Sequence, residues 1–168
     1  MLIFVFRKAK NISGIEFLVG FESEFILLED THPIKAVNQH GWCNSLGLPS
    51  GSKESTVLEE IADALEAAGI ELQMYHPEGA PGQYEVVTGP LPPLQAVDAL
   101  IHTRETIFNT ASKYGLKATF APRVFLDNCW SHPLFLPCII LISILQAAVH
   151  LMYTSPFMES RPRPRIPI

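Results

Sequence analysis

The 168-residue sequence predicts an α+β fold, an antiparallel sheet with flanking helices on one face. Three observations carry that reading. The run FLVGFESEFILLE, from Phe17 to Glu29, has the aromatic and branched composition of a strand. Two stretches, Ser55 to Gly69 and Leu94 to Gly115, repeat apolar residues at helical spacing. Between them lie IELQMYH and GQYEVVTG, two short strand-like runs joined by the turn-forming PEGAPG. The order is therefore strand, helix, hairpin, helix, strand.

Each element has its own signals. In the first strand, side chains alternate between faces. Leu18, Glu22, Glu24, Ile26 and Leu28 share one face, and Phe17, Val19, Phe21, Phe25 and Leu27 share the other. Residues Asp30 to Gly51 are rich in His, Asn, Pro and Gly and read as a loop. The first helix presents Val57, Leu58, Ile61, Ala64, Leu65 and Ala68; Ser52 or Ser55 can cap its start, and Gly69 fits its stop. Pro92 and Pro93 open the second helix, Gly115 ends it, and its apolar stripe is Leu94, Val97, Leu100, Ile101, Ile107, Phe108 and Ala111. LKATFAPRVF then begins another strand.

From Cys129 the character changes. Pro133 to Tyr153 carries no Asp, Glu, Lys or Arg, and an apolar helix is expected over Leu134 to Met152. The chain ends in SRPRPRIPI, whose alternating prolines exclude a regular helix or a central strand. The expected division is residues 7–127 and 128–168. The apolar stretch is near the length of a membrane span, about 20 residues. Pro137 and Gln146 interrupt it, and membrane tethering is the less favoured reading.

Composition narrows the function. Hydrophobic residues make up 48% and charged residues 17%, enough for a packed core, and the net charge of -5 argues against nucleic-acid binding. Cys43, Cys129 and Cys138 form no CxxC pair, which fits a reducing compartment and a cytoplasmic location. MLIFVFRKAK is apolar and then basic, the reverse of a secretory signal.

The carboxylates carry the chemistry. Glu22 and Glu24 stand in an otherwise apolar run. Glu78 lies in the hairpin turn, and Glu85 lies in the strand after it, on a face with Gln83 and Val87. A lone E-x-E on a strand is ordinarily a solvent-facing pair. A generic hairpin, however, has no need of two glutamates around Gly79, Gly82 and Gln83. If the hairpin packs beside the first strand, Glu22, Glu24, Glu78 and Glu85 converge and repel one another. A hard divalent cation, magnesium or manganese, resolves that conflict because such ions take oxygen ligands. His76 neighbours Glu78 and can approach such a metal; by itself it reads as a surface histidine at a strand end. By itself Arg123 reads as an exposed charge at a strand end. GLPSGSKEST does not have phosphate-loop spacing.

GFESEFILLE, YHPEGAPGQYEV and KYGLKATFAPR together resemble the catalytic domain of glutamine synthetase, in its bacterial-type and fungal glutamine-synthetase-like forms, over about residues 7–127. The resemblance implies that Glu24, Glu78 and Glu85 hold one divalent metal and that Glu22 helps hold a second on the ATP side. For Arg123 it implies a place near the substrates, and the two readings of that residue stand level. It implies ATP-dependent ligation of ammonia or an amine to glutamate through γ-glutamyl phosphate. It also implies homo-oligomeric rings. The family's later histidine, arginine and glutamate motifs and its small N-terminal domain have no counterpart in these residues, so the expectation is a domain truncated at both ends and inactive alone. The apolar tail is foreign to the family. No catalytic or nucleotide-contacting residue beyond the metal set is assigned. The alternatives are a non-catalytic metal-binding or regulatory remnant, or the membrane-tethered protein already set out.

Overall fold

The computed structural model describes residues 2–40, 46–121, 124 and 138–143. The chain divides into two units, Met1–Leu18 with Ser143–Ile168, and Val19–Ile142. In the first unit the N-terminal run forms a helix, α1 (Leu2–Ser13), which the sequence reading did not assign. Its last turn is closed by the Gly14 N–H donating to the Lys10 carbonyl at 2.9 Å, and Lys10 pairs with Glu16. The Phe6 and Phe17 rings pack with centroids 5.4 Å apart.

The second unit is built on one long strand, β1 (Leu18–Thr31). It pairs antiparallel with β2 (Ile34–Ala36), β4 (Gln83–Leu91) and β5 (Lys117–Thr119), and β3 (Leu72–Pro77) adds to the far side of β4. The sheet path is β2-β1-β4-β3. β2 lies inside the stretch expected to be loop, turning straight back from the end of β1.

The helices α2 (Lys53–Ala67) and α3 (Pro93–Lys113) cover one face. Ser52 caps α2, its hydroxyl oxygen accepting the Ser55 N–H at 3.1 Å. Both helices end on glycine with the same pair of bonds. At α2 the Gly69 and Ile70 N–H groups donate to Glu66 and Leu65; at α3 those of Gly115 and Leu116 donate to Ser112 and Ala111. Phe25 and Leu27 of β1 and Tyr84 and Val86 of β4 meet Val57, Leu58, Ile61, Leu65 and Ile107 in one core. Burying that many large side chains, at roughly 1.5–3 kcal/mol each, is the main force holding helices to sheet.

Two expectations are corrected. Of the expected α3 stripe, Ile107 and Ala111 are buried and Leu100 is partly buried, whereas Leu94, Val97, Ile101 and Phe108 are exposed; Ala96, Ala99, Thr103 and Thr110 complete the buried face. Small residues let the helix axis approach the sheet, and helical periodicity alone cannot choose between two adjacent stripes. Second, Cys138–Ser143, expected inside an apolar helix, form a strand, β6, paired with β1. CIILIS is rich in isoleucine, which loses side-chain freedom in a helix and packs well on a pleated sheet. The rest of the stretch expected as a helix, the boundary at residue 128, Arg123 and the Pro/Arg-rich terminus lie outside the described residues. Among the described residues, no helix is long and apolar enough to cross a membrane.

Candidate metal centre

Strand alternation aims the acidic side chains away from the helices. In the β1–β4 ladder Phe25 lies opposite Tyr84, on the helix-facing side, so the next pair, Glu24 opposite Glu85, faces the other way. The β3–β4 ladder sets His76 opposite Glu85. Glu24, Glu85 and His76 therefore form one rung across three adjacent strands. Glu22 sits two residues before Glu24 and shares its face.

The hairpin turn brings in Glu78. Its N–H donates to the Gln83 carbonyl at 2.8 Å, and the Gln83 N–H donates to the Ala80 carbonyl at 3.0 Å. Gly82 makes the turn possible. Its φ is 67°, and a Cβ there would lie 2.7 Å from the Leu27 carbonyl oxygen, which a side chain cannot tolerate. The gap closes because the Leu27 N–H donates to the Gly82 carbonyl at 2.8 Å, tying turn to strand.

Asn38 holds the turn from the other side. Its Oδ1 accepts the Gly82 N–H at 3.3 Å, and its Nδ2 donates to Tyr84 Oη at 2.7 Å and Glu54 Oε1 at 3.1 Å. Tyr84 Oη in turn donates to the Gly47 carbonyl at 2.9 Å. Tyr84 is fully buried between Gln83 and Glu85, so this network fixes the strand that carries both.

Glu24 is 5% exposed and Glu85 7%. Gln83 Nε2 donates to Glu24 Oε2 at 2.8 Å while Gln83 Oε1 accepts the Ala80 N–H at 2.9 Å, so Gln83 positions one carboxylate against the turn. The Gly79 N–H donates to Glu78 Oε2 at 3.2 Å. His76 Nδ1 lies 3.4 Å from Glu78 Oε1, and its Nε2 lies 3.5 Å from Glu85 Oε1. Donor atoms of His76, Glu78 and Glu85 all fall within 4.8 Å of one another.

The electrostatics are unfavourable as built. Burial, then the Glu85 and Glu78 charges, push the Glu24 carboxyl up to about 7, against the opposing hydrogen bond from Gln83. Burial, then the Glu22 charge, raise Glu85, and His76 partly offsets this. Among the described residues, the lysine ion pairs go to Glu16, Glu29 and Glu60, and none reaches these four glutamates. Oxygen donors from two strands and a turn, with one imidazole and no lysine or arginine paired to them among the described residues, fit a divalent cation.

Of the four glutamates singled out in the sequence, Glu78 and Glu85 come together with His76, while Glu24 lies opposite Glu85 in the ladder and Glu22 two residues along, outside that cluster of donor atoms. Sequence reasoning set His76 beside Glu78 without placing it opposite Glu85, and it did not find Asn38. Asn38 sits 44 and 46 residues from its partners Gly82 and Tyr84, and no local pattern announces such contacts.

The fold and the site define a class: an α+β domain with helices on one sheet face and buried carboxylates on the other. Residues 5–131 match the model of the glutamine synthetase catalytic domain, and the chain belongs to that family. It is 37% identical over 131 residues to the protein fluG of Emericella nidulans, which covers 74% of this chain and 15% of that protein. It is 36% identical over 122 residues to a glutamine synthetase of Methanocaldococcus jannaschii, covering 69% of this chain and 26% of that one. A solved GmaS–ADP complex shares the fold with a TM-score of 0.63 at 24% identity, over 74% of this chain and 29% of that one. The chain therefore spans about a quarter or less of the length of the two relatives it matches.

Proposed function

We propose that these residues form the metal-binding core of an ATP-dependent ligase of the glutamine synthetase type, joining ammonia or an amine to the side-chain carboxylate of glutamate through γ-glutamyl phosphate. The observation that carries this reading is the buried Glu24–Glu85 pair beside Glu78, with no lysine or arginine to neutralise it among the described residues. Glu24, Glu78 and Glu85 hold one Mg2+ or Mn2+, and Glu22 offers its carboxylate to a second on the ATP side. When bound, such ions neutralise charge on phosphate oxygens and orient the acceptor. The chain's own residues supply the frame. Gln83 and the Gly79 N–H each hold one carboxylate in place, and Asn38 and Gly82 fix the turn between them. The reaction belongs in the cytoplasm, where glutamate and ATP meet, and the full-length assembly is a homo-oligomeric ring.

The 122 matched residues span 26% of the archaeal glutamine synthetase. By themselves they bind metal without completing the reaction, because groups that act as a unit leave little activity when several are missing. Two assays test this. Purified chain with ATP, Mg2+, glutamate and hydroxylamine is expected to form no hydroxamate; metal-dependent product abolished by Glu85→Ala would show a complete ligase instead. Residues 5–131 grafted in place of the matching segment of the archaeal relative are expected to support ligation that Glu85→Ala abolishes. A folded, assembled but inactive graft would contradict the reading.

A further inference from the structure

His76 is the one donor in the cluster that is not a carboxylate, and its ring is already set for ligation. Nδ1 lies 3.1 Å from the Pro77 carbonyl oxygen. A carbonyl only accepts, so Nδ1 carries the hydrogen in that bond. In the neutral ring this leaves the Nε2 lone pair free, and Nε2 points at Glu85 Oε1 from 3.5 Å. That separation is long for an N–H···O bond, which favours about 2.7–3.2 Å. Two neighbouring ligands of one octahedral ion stand about 3 Å apart when each bond is about 2.1 Å, so a small inward shift of the two side chains seats both donors on one ion. A ring nitrogen fixed by a backbone carbonyl on its far side is the common arrangement of a metal-bound histidine. The register adds to this. His76 lies directly opposite Glu85, so the strand pairing itself holds the two donors side by side.

We propose that His76 Nε2 is a ligand of the divalent cation, completing with Glu78 and Glu85 a mixed nitrogen–oxygen site that selects manganese over magnesium. The proposal rests on the metal reading given above and deepens it. Magnesium is a hard ion served by carboxylates, carbonyls and water, whereas imidazole suits first-row transition metals. A site made only of glutamates has little with which to tell the two apart. One imidazole nitrogen supplies the difference, and Glu24, paired to Glu85 from the other side, adds charge without changing donor type.

Pulsed EPR of the Mn2+-loaded full chain is the test, with calorimetry of Mn2+ and Mg2+ alongside. The expected result is a nitrogen-14 coupling on bound Mn2+ that is absent in His76→Gln and retained in His102→Gln. His76→Gln should also lose at least about tenfold in Mn2+ affinity while Mg2+ affinity changes much less. Retained Mg2+ binding shows that this variant is folded. Bound Mn2+ with no nitrogen coupling would overturn the histidine ligand and leave the carboxylate site standing. No Mn2+ binding at all would overturn both. A coupling that persists in His76→Gln would overturn the assignment to this residue.

Discussion

The two faces of β1 and β4 are made from the same strands, one residue out of phase. On the helix side, Phe25, Leu27, Tyr84 and Val86 are at most 1% exposed and meet apolar side chains. On the other side Glu24 and Glu85 are nearly as buried, yet they meet each other. Burial stabilises the first set by removing apolar surface from water. It destabilises the second, because two like charges out of water raise each other's proton affinity. One face holds the fold together, and the other stores an electrostatic conflict that a ligand can relieve. Strand alternation keeps the two functions one residue apart without letting them mix.

Breaking the helix-facing side should have the largest effect on stability. Phe25→Ala removes a ring that packs on Tyr84 and Phe120, and it is expected to cost about 3–5 kcal/mol in denaturant unfolding. A loss below about 1 kcal/mol would mean that this face is not the stabilising one.

The acidic face should show itself through pH. The Glu24 carboxyl is raised from 4.5 to about 7 in the folded chain. Between those values the folded state keeps a proton that the unfolded chain has released. The contribution of this group to metal-free stability should therefore be fully present below pH 4.5, fall as pH rises through that window, and be lost above 7. The fall from this group is on the order of 3 kcal/mol. Saturating Mn2+ should stabilise the protein most at the upper end of the window. Unfolding midpoints measured with and without metal would sharpen the contrast; a metal-free profile that rises across the window would break it.

Removing one charge should separate the two roles. Glu85→Gln is expected to raise metal-free stability by about 1 kcal/mol, since a repulsive pair is lost, while weakening Mn2+ binding at least about tenfold. Paired thermal unfolding and titration would show both signs in one variant. Lower stability together with unchanged binding would mean that Glu85 serves the fold.

The smallest effect concerns a residue on the wrong side. Ser23 lies between the two glutamates but points to the helix side, opposite Val86. Its Oγ is buried without a hydrogen-bond partner among the described residues. Ser23→Ala should gain about 1 kcal/mol by removing that unsatisfied hydroxyl, with metal binding unchanged. A loss of stability would show that the hydroxyl is satisfied after all.

What the sequence made legible follows the same division. The faces of β1 were readable because a period of two is rigid, so Glu22 and Glu24 had to share a side. PEGAPG announced a turn, which brought Glu78 and Glu85 near each other. The placing of His76 opposite Glu85 was not readable. The β3–β4 register shifts between Leu72 and Met74, and such a shift decides which partner each later residue faces. For the same reason α3 was visible as a helix while its buried stripe was visible only in part. Packing of Ala96 against Val19 and Phe21, and of Ala99 in the main core, sets that choice, not periodicity. In CIILIS the local preference of isoleucine for a strand outweighed the helical look of a long apolar run.

The central claim is that Glu24 and Glu85 face each other in order to share a cation, and calorimetric titration of Mn2+ tests it most directly. The unmodified chain should bind with a clear one-site isotherm, and both Glu24→Ala and Glu85→Ala should lose that binding while remaining folded. An unmodified chain that takes up no manganese, or variants that bind as well as the parent, would contradict the account.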